Sequence, residues 1–342
     1  MKYRLLGKTG LKVSELCLGT MTFGSKFFHI GVVNQEGANQ MVARALEAGI
    51  NFIDTADVYS FGESEEILAR ALKAAGAKRE SVVIATKVMG AMSQEAWDGS
   101  GDVNDRGLSR KHIFEACEAS LRRLDTDYID LYQVHGWDRL TPMEEILRAL
   151  DDLVRQGKVR YLGCSNWAAR QLAKALGLAE GRGWERFVSL QAYYSLVGRD
   201  LEHELLPLCV EEGLGVLPWS PLAGGFLSGK YSRKNPKPAG ARRSEFDFPP
   251  LDLERGYETV DTLAAVATTK EATIPQVALA WLLAQPGVAS VILGAKTIEQ
   301  FEDNLGAAEL ELTPAELSRL SALTPPPLLY PQWMIEFQSR GR

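Results

Sequence analysis

The chain has 342 residues, of which 46% are hydrophobic and 24% charged, and its formal net charge is −6. This length suits one barrel domain, and the hydrophobic share is enough for a large core. An acidic chain with interspersed charges and no basic stripe disfavours nucleic acid or an anionic membrane surface as a partner. No apolar run is long enough to predict a membrane span or a signal peptide.

The cysteines and histidines predict neither disulfides nor a metal site. The cysteines are isolated and lack CxxC spacing, which is typical of reduced thiols in a cytoplasmic protein. The histidines do not pair at the spacing of metal ligands, so no metal is expected. These residues are Cys17, Cys117, Cys164 and Cys209, and His29, His112, His135 and His203.

The chain opens with a predicted β-hairpin, in which Tyr3–Leu5 and Lys12–Ser14 flank a turn from Gly7 to Gly10. After the hairpin, strand-like apolar runs alternate with amphipathic helical runs. Several of the strands are apolar on both faces, as buried parallel strands are. Eight strands are predicted, at residues 16–19, 51–55, 81–87, 129–135, 159–165, 187–192, 215–220 and 289–294.

Helices are predicted between these strands. Eight alternating β/α units predict an α/β fold of the (β/α)8 TIM barrel type. A doubly wound sheet is the rival fold, but it would usually bring a Gly-x-Gly-x-x-Gly turn after its first strand. Here the first strand is followed by Thr20-Met21-Thr22-Phe23-Gly24. The predicted helices cover residues 35–48, 64–74, 109–124, 142–156, 168–178, 202–212, 276–284 and 297–307.

Three segments depart from the β/α alternation. Residues 228–250 are rich in Lys, Arg and Pro and predict a long, mobile loop after the seventh barrel strand, on the active-site face. Residues 312–323 predict an additional amphipathic helix. Residues 324–342 predict an irregular, aromatic tail that either packs against the barrel wall or contacts a substrate. We expect one barrel domain over residues 1–342.

Four residues lie at or just past the ends of predicted strands: Asp54, Tyr59, Lys87 and His135. Each alone is commonplace, but the carboxyl ends of barrel strands meet where barrel enzymes place their chemistry. A tyrosine, with a pKa of about 10, is a poor acid at neutral pH, and a nearby ammonium should lower that pKa. A carboxylate would hold the lysine charged, and the histidine would orient a carbonyl oxygen or help relay the proton.

Seven motifs in chain order make the sequence resemble the aldo-keto reductase superfamily. The motif style resembles the bacterial and potassium-channel-β-like branches most. The motifs are Asp-Thr-Ala-x-x-Tyr at 54–59, Ala-Thr-Lys at 85–87, Asp-Leu-Tyr-Gln-Val-His at 130–135, Gly-x-Ser-Asn at 163–166, Leu-Gln at 190–191, Pro-Trp-Ser-Pro-Leu at 218–222 and Gly-x5-Gln-x3-Asn at 294–304.

The resemblance implies a nicotinamide dinucleotide extended across the barrel mouth, with NADPH favoured over NADH. Some relatives place an arginine where Gln300 stands, so Lys296, and Arg242 or Arg243, would have to hold the 2′-phosphate. The implied cofactor contacts are Ser165, Asn166 and Gln191 for the carboxamide, Trp219 for the ring, Ser220, Leu222, Gly225 and Lys230 for the pyrophosphate, and Gly294, Lys296, Gln300, Asp303 and Asn304 for the adenosine end, together with Thr20, Met21 and Asp54.

The resemblance further implies reduction of an aldehyde or ketone, with hydride from the nicotinamide and a proton from Tyr59. Expected substrate contacts are Met21, Tyr59, His135 and Trp167, with Trp137 and the tail as further candidates. A homo-oligomer is compatible with the sequence.

Two other functions stay open. The first is a cofactor-binding sensor or channel-associated subunit with slow turnover, although the channel-associated branch carries another residue in place of His135. The second is a phosphate-binding isomerase barrel, which would leave Tyr59, Lys87 and Trp219 without a joint role.

Overall fold

A computed structural model describes residues 1–25 and 30–341 of the chain. A two-stranded antiparallel hairpin is followed by eight parallel strands that lie side by side in one sheet. In order along the chain, the strands are β1 (Tyr3–Leu5), β2 (Lys12–Ser14), β3 (Leu16–Gly19), β4 (Phe52–Asp54), β5 (Val83–Val88), β6 (Ile129–Val134), β7 (Val159–Ser165), β8 (Phe187–Tyr193), β9 (Gly215–Trp219) and β10 (Val291–Leu293).

The sheet has the order β10-β3-β4-β5-β6-β7-β8-β9, so each strand of the series from β3 to β9 pairs with the next one along the chain. A parallel bridge between Val216 and Val288 brings the two edge strands together and nearly closes the barrel. The predicted (β/α)8 TIM barrel and the predicted hairpin are therefore confirmed.

Helices surround the barrel strands. Their apolar faces, together with the outward faces of the strands, form the larger of the hydrophobic clusters. Within the described residues the helices are α1 (Gln35–Glu47), α2 (Glu63–Ala74), α3 (Gln94–Asp98), α4 (Arg110–Arg123), α5 (Met143–Arg155), α6 (Ala169–Arg182), α7 (Leu205–Glu212), α8 (Arg242–Glu245), α9 (Leu253–Lys270), α10 (Ile274–Leu283), α11 (Ile298–Leu305), α12 (Pro314–Ser321) and α13 (Gln332–Gln338).

Four parts of the chain differ from the predicted elements, and one of them is the short helix α3, which is absent from the predicted set. Helix α9 is absent from the predicted set because it contains Gly256 and several β-branched residues, which are weak helix formers, and burial of its apolar face overrides that preference. The predicted loop at 228–250 contains α8. The tail is not irregular throughout, since it contains α13, whose side chains are not buried.

The hairpin covers the amino-terminal end of the barrel. Leu6 and Val13 pack with inward-facing residues of the barrel strands, among them Phe52 and Leu217. The backbone N–H of Lys8 donates to the carbonyl of Gly213 at 2.7 Å. Because this end is filled, the carboxyl ends of the strands form the accessible end of the barrel.

None of the helices in the described ranges has the length and apolar character that a membrane crossing needs. All four cysteines are free and buried. No group of three or more metal-ligating side chains occurs in the described residues, and His29 lies outside them.

The first prediction concerns the hairpin turn. Gly7 has a φ of +60°, and a Cβ there would lie 2.6 Å from two backbone carbonyl oxygens, those of Gly213 and Val188. Gly7→Ala should lower the free energy of unfolding by about 1–3 kcal/mol, as measured by urea denaturation. Gly10→Ala is the matched control, because a Cβ there meets nothing within 4 Å. Equal stability of the two variants would contradict this account of the turn.

Candidate active site

The barrel register brings the four candidate residues together. Strand β4 ends at Asp54, β5 carries Lys87 next to its last residue, and His135 directly follows β6. Tyr59 begins a 3-10 turn after β4. In that turn Ser60 has a φ of 50°, a left-handed conformation that non-glycine residues seldom adopt, so the chain reverses tightly behind the tyrosine.

Lys87 is the centre of the group. Its side chain is fully buried, and its Nζ donates to Asp54 Oδ1 at 2.5 Å, to the carbonyl of Thr55 at 2.7 Å and to the hydroxyl of Tyr59 at 3.2 Å. An ammonium has three donors, and all three are used. The geometry therefore fixes the position of the positive charge beside the phenol.

The second oxygen of Asp54 is also paired. Its Oδ2 accepts from Gln133 Nε2 at 3.0 Å and from Gln191 Nε2 at 2.8 Å. With Lys87 on the other oxygen, this buried carboxylate has a partner on both sides. Such pairing is what keeps a buried charge tolerable.

Burial and the charge of Lys87 together set the protonation states of Lys87 and Tyr59. Burial lowers the pKa of Lys87, but Asp54 and Tyr59 outweigh it and the net shift is upward, so the ammonium persists. Burial raises the pKa of Tyr59 more than Lys87 lowers it. The expectation that the lysine would leave the phenol with a lowered pKa is therefore wrong, because burial is the larger effect.

His135 is neutral in this environment. Burial, and then the charge of Lys87, lower the pKa of His135 to about 3. Its ring meets the Tyr59 ring edge-on, with 5.8 Å between centroids. Asn166 Nδ2 donates to the backbone carbonyl of His135 at 3.1 Å and so braces the segment. A neutral imidazole can donate one hydrogen bond to a carbonyl oxygen without a charge of its own.

These residues border a cavity of about 530 Å³ at the carboxyl ends of the strands. Lys87 lies beneath the cavity and does not line it. Apart from Arg243, the cofactor contacts implied by the sequence line the cavity: Thr20, Met21, Asp54, Ser165, Asn166, Gln191, Trp219, Ser220, Leu222, Gly225, Lys230, Arg242, Gly294, Lys296, Gln300, Asp303 and Asn304.

The cavity wall near His135 has unused hydrogen-bonding capacity. Ser165 is 1% exposed, and its hydroxyl has no hydrogen-bond partner within the described part of the chain. Asn166 Oδ1 accepts from Trp219 Nε1 at 3.1 Å. Hydroxyl and amide groups at this wall fit a carboxamide, which needs both donors and acceptors. The ring of Trp219 neighbours the rings of Tyr193 and Phe248, at centroid distances of 5.1 and 5.9 Å.

Three cationic side chains line the cavity. Lys230 and Lys296 line it and form no ion pair within residues 1–25 and 30–341. Arg242 also lines it, and its buried Nε has no partner in the described part of the chain. Lys296 directly precedes Thr297, the N-cap of α11, and free N–H groups at a helix start favour anions. The cations and this helix start therefore fit phosphate groups.

Some predicted contacts are already engaged within the protein. Gln300 Oε1 accepts from the backbone N–H of Lys296 at 3.1 Å. Asp303 accepts from Thr273 Oγ1 at 3.1 Å and from Gln276 Nε2. The first bond braces the start of α11, and the bonds of Asp303 tie its last turn to the start of α10.

Four sequence-based expectations do not fit the structure. Trp167 is 2% exposed and lies behind the cavity wall, where its Nε1 donates to the carbonyl of Gly136. Trp137 packs edge-on against Trp167, and neither ring lines the cavity. The tail does not line it either. Arg243 is buried and donates to the carbonyls of Ala223 and Pro249 and to Asp247, so it cannot serve a phosphate.

Sequence reasoning missed two residues that contribute to the site. Gln133 contacts Asp54, and the signal for it was a polar residue between Tyr132 and Val134, two positions before His135. Phe248 lines the cavity and stacks on Trp219 with an angle of 10° between the rings. It lies in the loop after β9, where no periodic pattern indicates which side chains face inward.

A model of the aldo/keto reductase family matches residues 15–325. The chain belongs to the aldo/keto reductase family. The family match and the reductases among its relatives show the chain to be an NAD(P)H-dependent oxidoreductase.

Curated relatives of this aldo/keto reductase match almost end to end. An uncharacterized oxidoreductase of Bacillus subtilis (strain 168) is 42% identical, with 96% of this chain and 97% of the relative covered. Versiconal hemiacetal acetate reductase of Aspergillus parasiticus is 36% identical, with 97% and 99% covered. A probable voltage-gated potassium channel subunit beta of Arabidopsis thaliana is 37% identical, with 94% and 95% covered.

The depressed pKa of His135 predicts a contribution to stability that depends on pH. The unfolded chain binds a proton at this histidine near its ordinary pKa of 6.5, but the folded reductase does so only near 3. Stability from neutral His135 is therefore present above pH 6.5 and is lost as the pH falls towards 3. In urea denaturation between about pH 6.5 and pH 4, His135→Phe should lose stability less steeply than the wild type. If the free energies of unfolding of the two proteins changed with pH in parallel, the depressed pKa of His135 would be contradicted. An NMR titration of the His135 imidazole with a midpoint near 6.5 would contradict it too.

Proposed function

We propose that this aldo/keto reductase reduces an aldehyde or ketone to an alcohol with NADPH, and that Tyr59 donates the proton. The observation that supports this most is the phenol at the cavity wall with the Lys87 ammonium 3.2 Å behind its oxygen. Asp54, Tyr59, Lys87 and His135 are the catalytic residues of the proposal.

The raised pKa of Tyr59 fits the role of an acid. At neutral pH the phenol keeps its proton, so the proton is available when a carbonyl oxygen gains negative charge. Lys87 then stabilises the phenolate, and Asp54 keeps the ammonium in place. His135, as a neutral donor, orients the carbonyl oxygen towards the phenol. When bound, the cofactor supplies the hydride to the carbonyl carbon.

The residues that would hold the cofactor fall into groups, and each group suits one part of the dinucleotide. Ser165, Asn166 and Gln191 would hold the carboxamide, and Trp219 would lie against the nicotinamide ring. Lys230, with the turn around Ser220, Leu222 and Gly225, would face the pyrophosphate. The remaining proposed contacts are Lys296, Gly294, Gln300, Asp303 and Asn304 at the adenosine end, and Thr20, Met21 and Asp54.

The substrate is proposed to be a small carbonyl compound that binds beside Tyr59 and His135. The apolar lining on this side includes Met21, Ile30 and Phe248. A panel of aldehydes, ketones and sugars, followed by nicotinamide absorbance, would identify it. A cytoplasmic location is part of the proposal and is supported by the free cysteines.

Substitution of the proposed acid is the direct test. Tyr59→Phe should bind NADPH as the wild type does but lose about 10²–10⁴-fold in kcat for carbonyl reduction, because the general acid is gone. Cofactor affinity from tryptophan fluorescence is the control for folding. An unchanged reduction rate would rule out Tyr59 as the donor.

The preference for NADPH depends on the cations at the adenosine end. Lys296→Met should raise KM for NADPH about tenfold, the loss of one charge-assisted hydrogen bond, and leave KM for NADH unchanged. Equal KM values for the two cofactors in the wild type would refute the preference itself.

A cofactor-binding regulatory subunit is the second candidate, and the potassium channel subunit among the relatives favours it. Such a protein would oxidise bound NADPH once and release NADP⁺ slowly. Turnover of many substrate equivalents per enzyme would support the enzyme, whereas a single burst without further turnover would support the regulatory subunit.

A further inference from the structure

Gln133 lies directly below the cavity, and its side chain is fully buried. It stands in register with Lys87 on β5 and with Gly163 on β7. Its Nε2 donates to Asp54 Oδ2 at 3.0 Å, and its Oε1 accepts from Gln191 Nε2 at 3.3 Å. It thus touches both the carboxylate that holds the lysine and an amide that lines the cavity.

These contacts determine which way both amides point. Asp54 is a carboxylate and accepts only, so each glutamine must present its NH₂ group to it. Gln191 donates from Nε2 to Asp54 Oδ2 and also to Gln133 Oε1, which uses both of its N–H groups. A flipped amide would set oxygen against oxygen at both contacts. Asp54 therefore sets the orientation of the Gln191 amide, and Gln133 supplies the second contact that holds the amide in place.

The fixed orientation leaves one group of Gln191 for the cavity. Its Oε1 accepts no hydrogen bond in the part of the chain that the structure describes, and Gln191 lines the cavity together with Ser165. A carbonyl oxygen at this point selects a donor such as the NH₂ of a carboxamide. It would not favour a group that offers only an acceptor.

The packing around Gln133 leaves room for this arrangement. A Cβ at Gly163 would lie 2.6 Å from Ser189 Oγ and 3.0 Å from Gln133 Cγ, so a side chain there would clash with the serine and press on the glutamine. The Ser189 hydroxyl is buried beside it and has no hydrogen-bond partner among the described residues. The position of Gln133 thus depends on its two amide contacts and on the space that Gly163 provides.

We propose that Gln133 is a positioning residue that holds the Gln191 oxygen ready to accept from the NH₂ of the nicotinamide carboxamide. Gln133 thus connects the proposed nicotinamide site at Gln191 to the Asp54 carboxylate. Asp54 in turn holds Lys87, which donates to Tyr59. The inference rests on the proposed function, since it requires a nicotinamide at this wall. Gln133 itself touches neither the cofactor nor the substrate.

The test compares three ligands by tryptophan fluorescence, without turnover. They are NADP⁺, its 3-acetylpyridine analogue, which has the carbonyl but no NH₂, and adenosine 2′,5′-bisphosphate, which has no nicotinamide. The wild type should bind NADP⁺ more tightly than the analogue. In Gln133→Leu that preference should fall about fivefold, the value of one neutral hydrogen bond, with the bisphosphate affinity unchanged.

Two further variants make the result decisive. Gln133→Met keeps the length of the side chain without its amide and should show the same loss, which covers the case that the leucine variant does not fold. Ser189→Ala removes a neighbouring buried polar group without a partner and should keep the wild-type preference.

Several results would overturn the proposal. They are a wild type that binds the analogue as tightly as NADP⁺, a methionine variant with the wild-type preference, or equal losses for all three ligands, which would indicate a general structural role. Failure of the proposed function would instead appear in the turnover of Tyr59→Phe, which this binding experiment does not measure.

Discussion

The buried ion pair between Lys87 and Asp54 is the interaction on which the rest of the site depends. The side chains are 0% and 3% exposed, and such a pair is costly unless every donor and acceptor has a partner. That condition is met by the carbonyl of Thr55 and the phenol of Tyr59 on one side and by two glutamine amides on the other. The barrel makes this possible, because β4, β5, β6 and β8 carry these groups at or near their carboxyl ends, where the strands surround one space.

One fixed cation has different consequences for its neighbours. Burial raises the pKa of Tyr59, and the Lys87 ammonium lowers it. Burial lowers the pKa of His135, and the Lys87 ammonium lowers it further. The phenol and the imidazole are therefore both uncharged at neutral pH, beside an ammonium that stays charged. Such a site changes its charge little when a neutral carbonyl enters. The strongest electrostatic response comes only when negative charge develops on the substrate oxygen or the phenol.

The sequence predicted the features that follow from periodicity and failed for those that depend on three-dimensional surroundings. Apolar runs located the strands, and polar residues at their ends located the group that we propose to be catalytic. The direction of the pKa shift of Tyr59 depends on burial, which a strand pattern does not give. Trp167 follows a strand end like its neighbours, yet its ring points into the packing around Gly136. The contact of Gln133 with the Asp54 carboxylate could be recognised only from the strand register, which places Gln133 beside Lys87.

Within the cavity, the groups proposed for the reaction lie on regular strands, whereas groups that can affect substrate selectivity lie on a loop. The groups proposed for proton and hydride transfer lie on or next to strand ends, where backbone pairing fixes them. The Phe248 wall lies instead on the loop after β9, held by the buried Arg243, which donates to the carbonyls of Ala223 and Pro249. Changes in that loop can reshape the wall without disturbing the register below it. We infer that the barrel determines the reaction of this reductase and that the loop contributes to its choice of carbonyl.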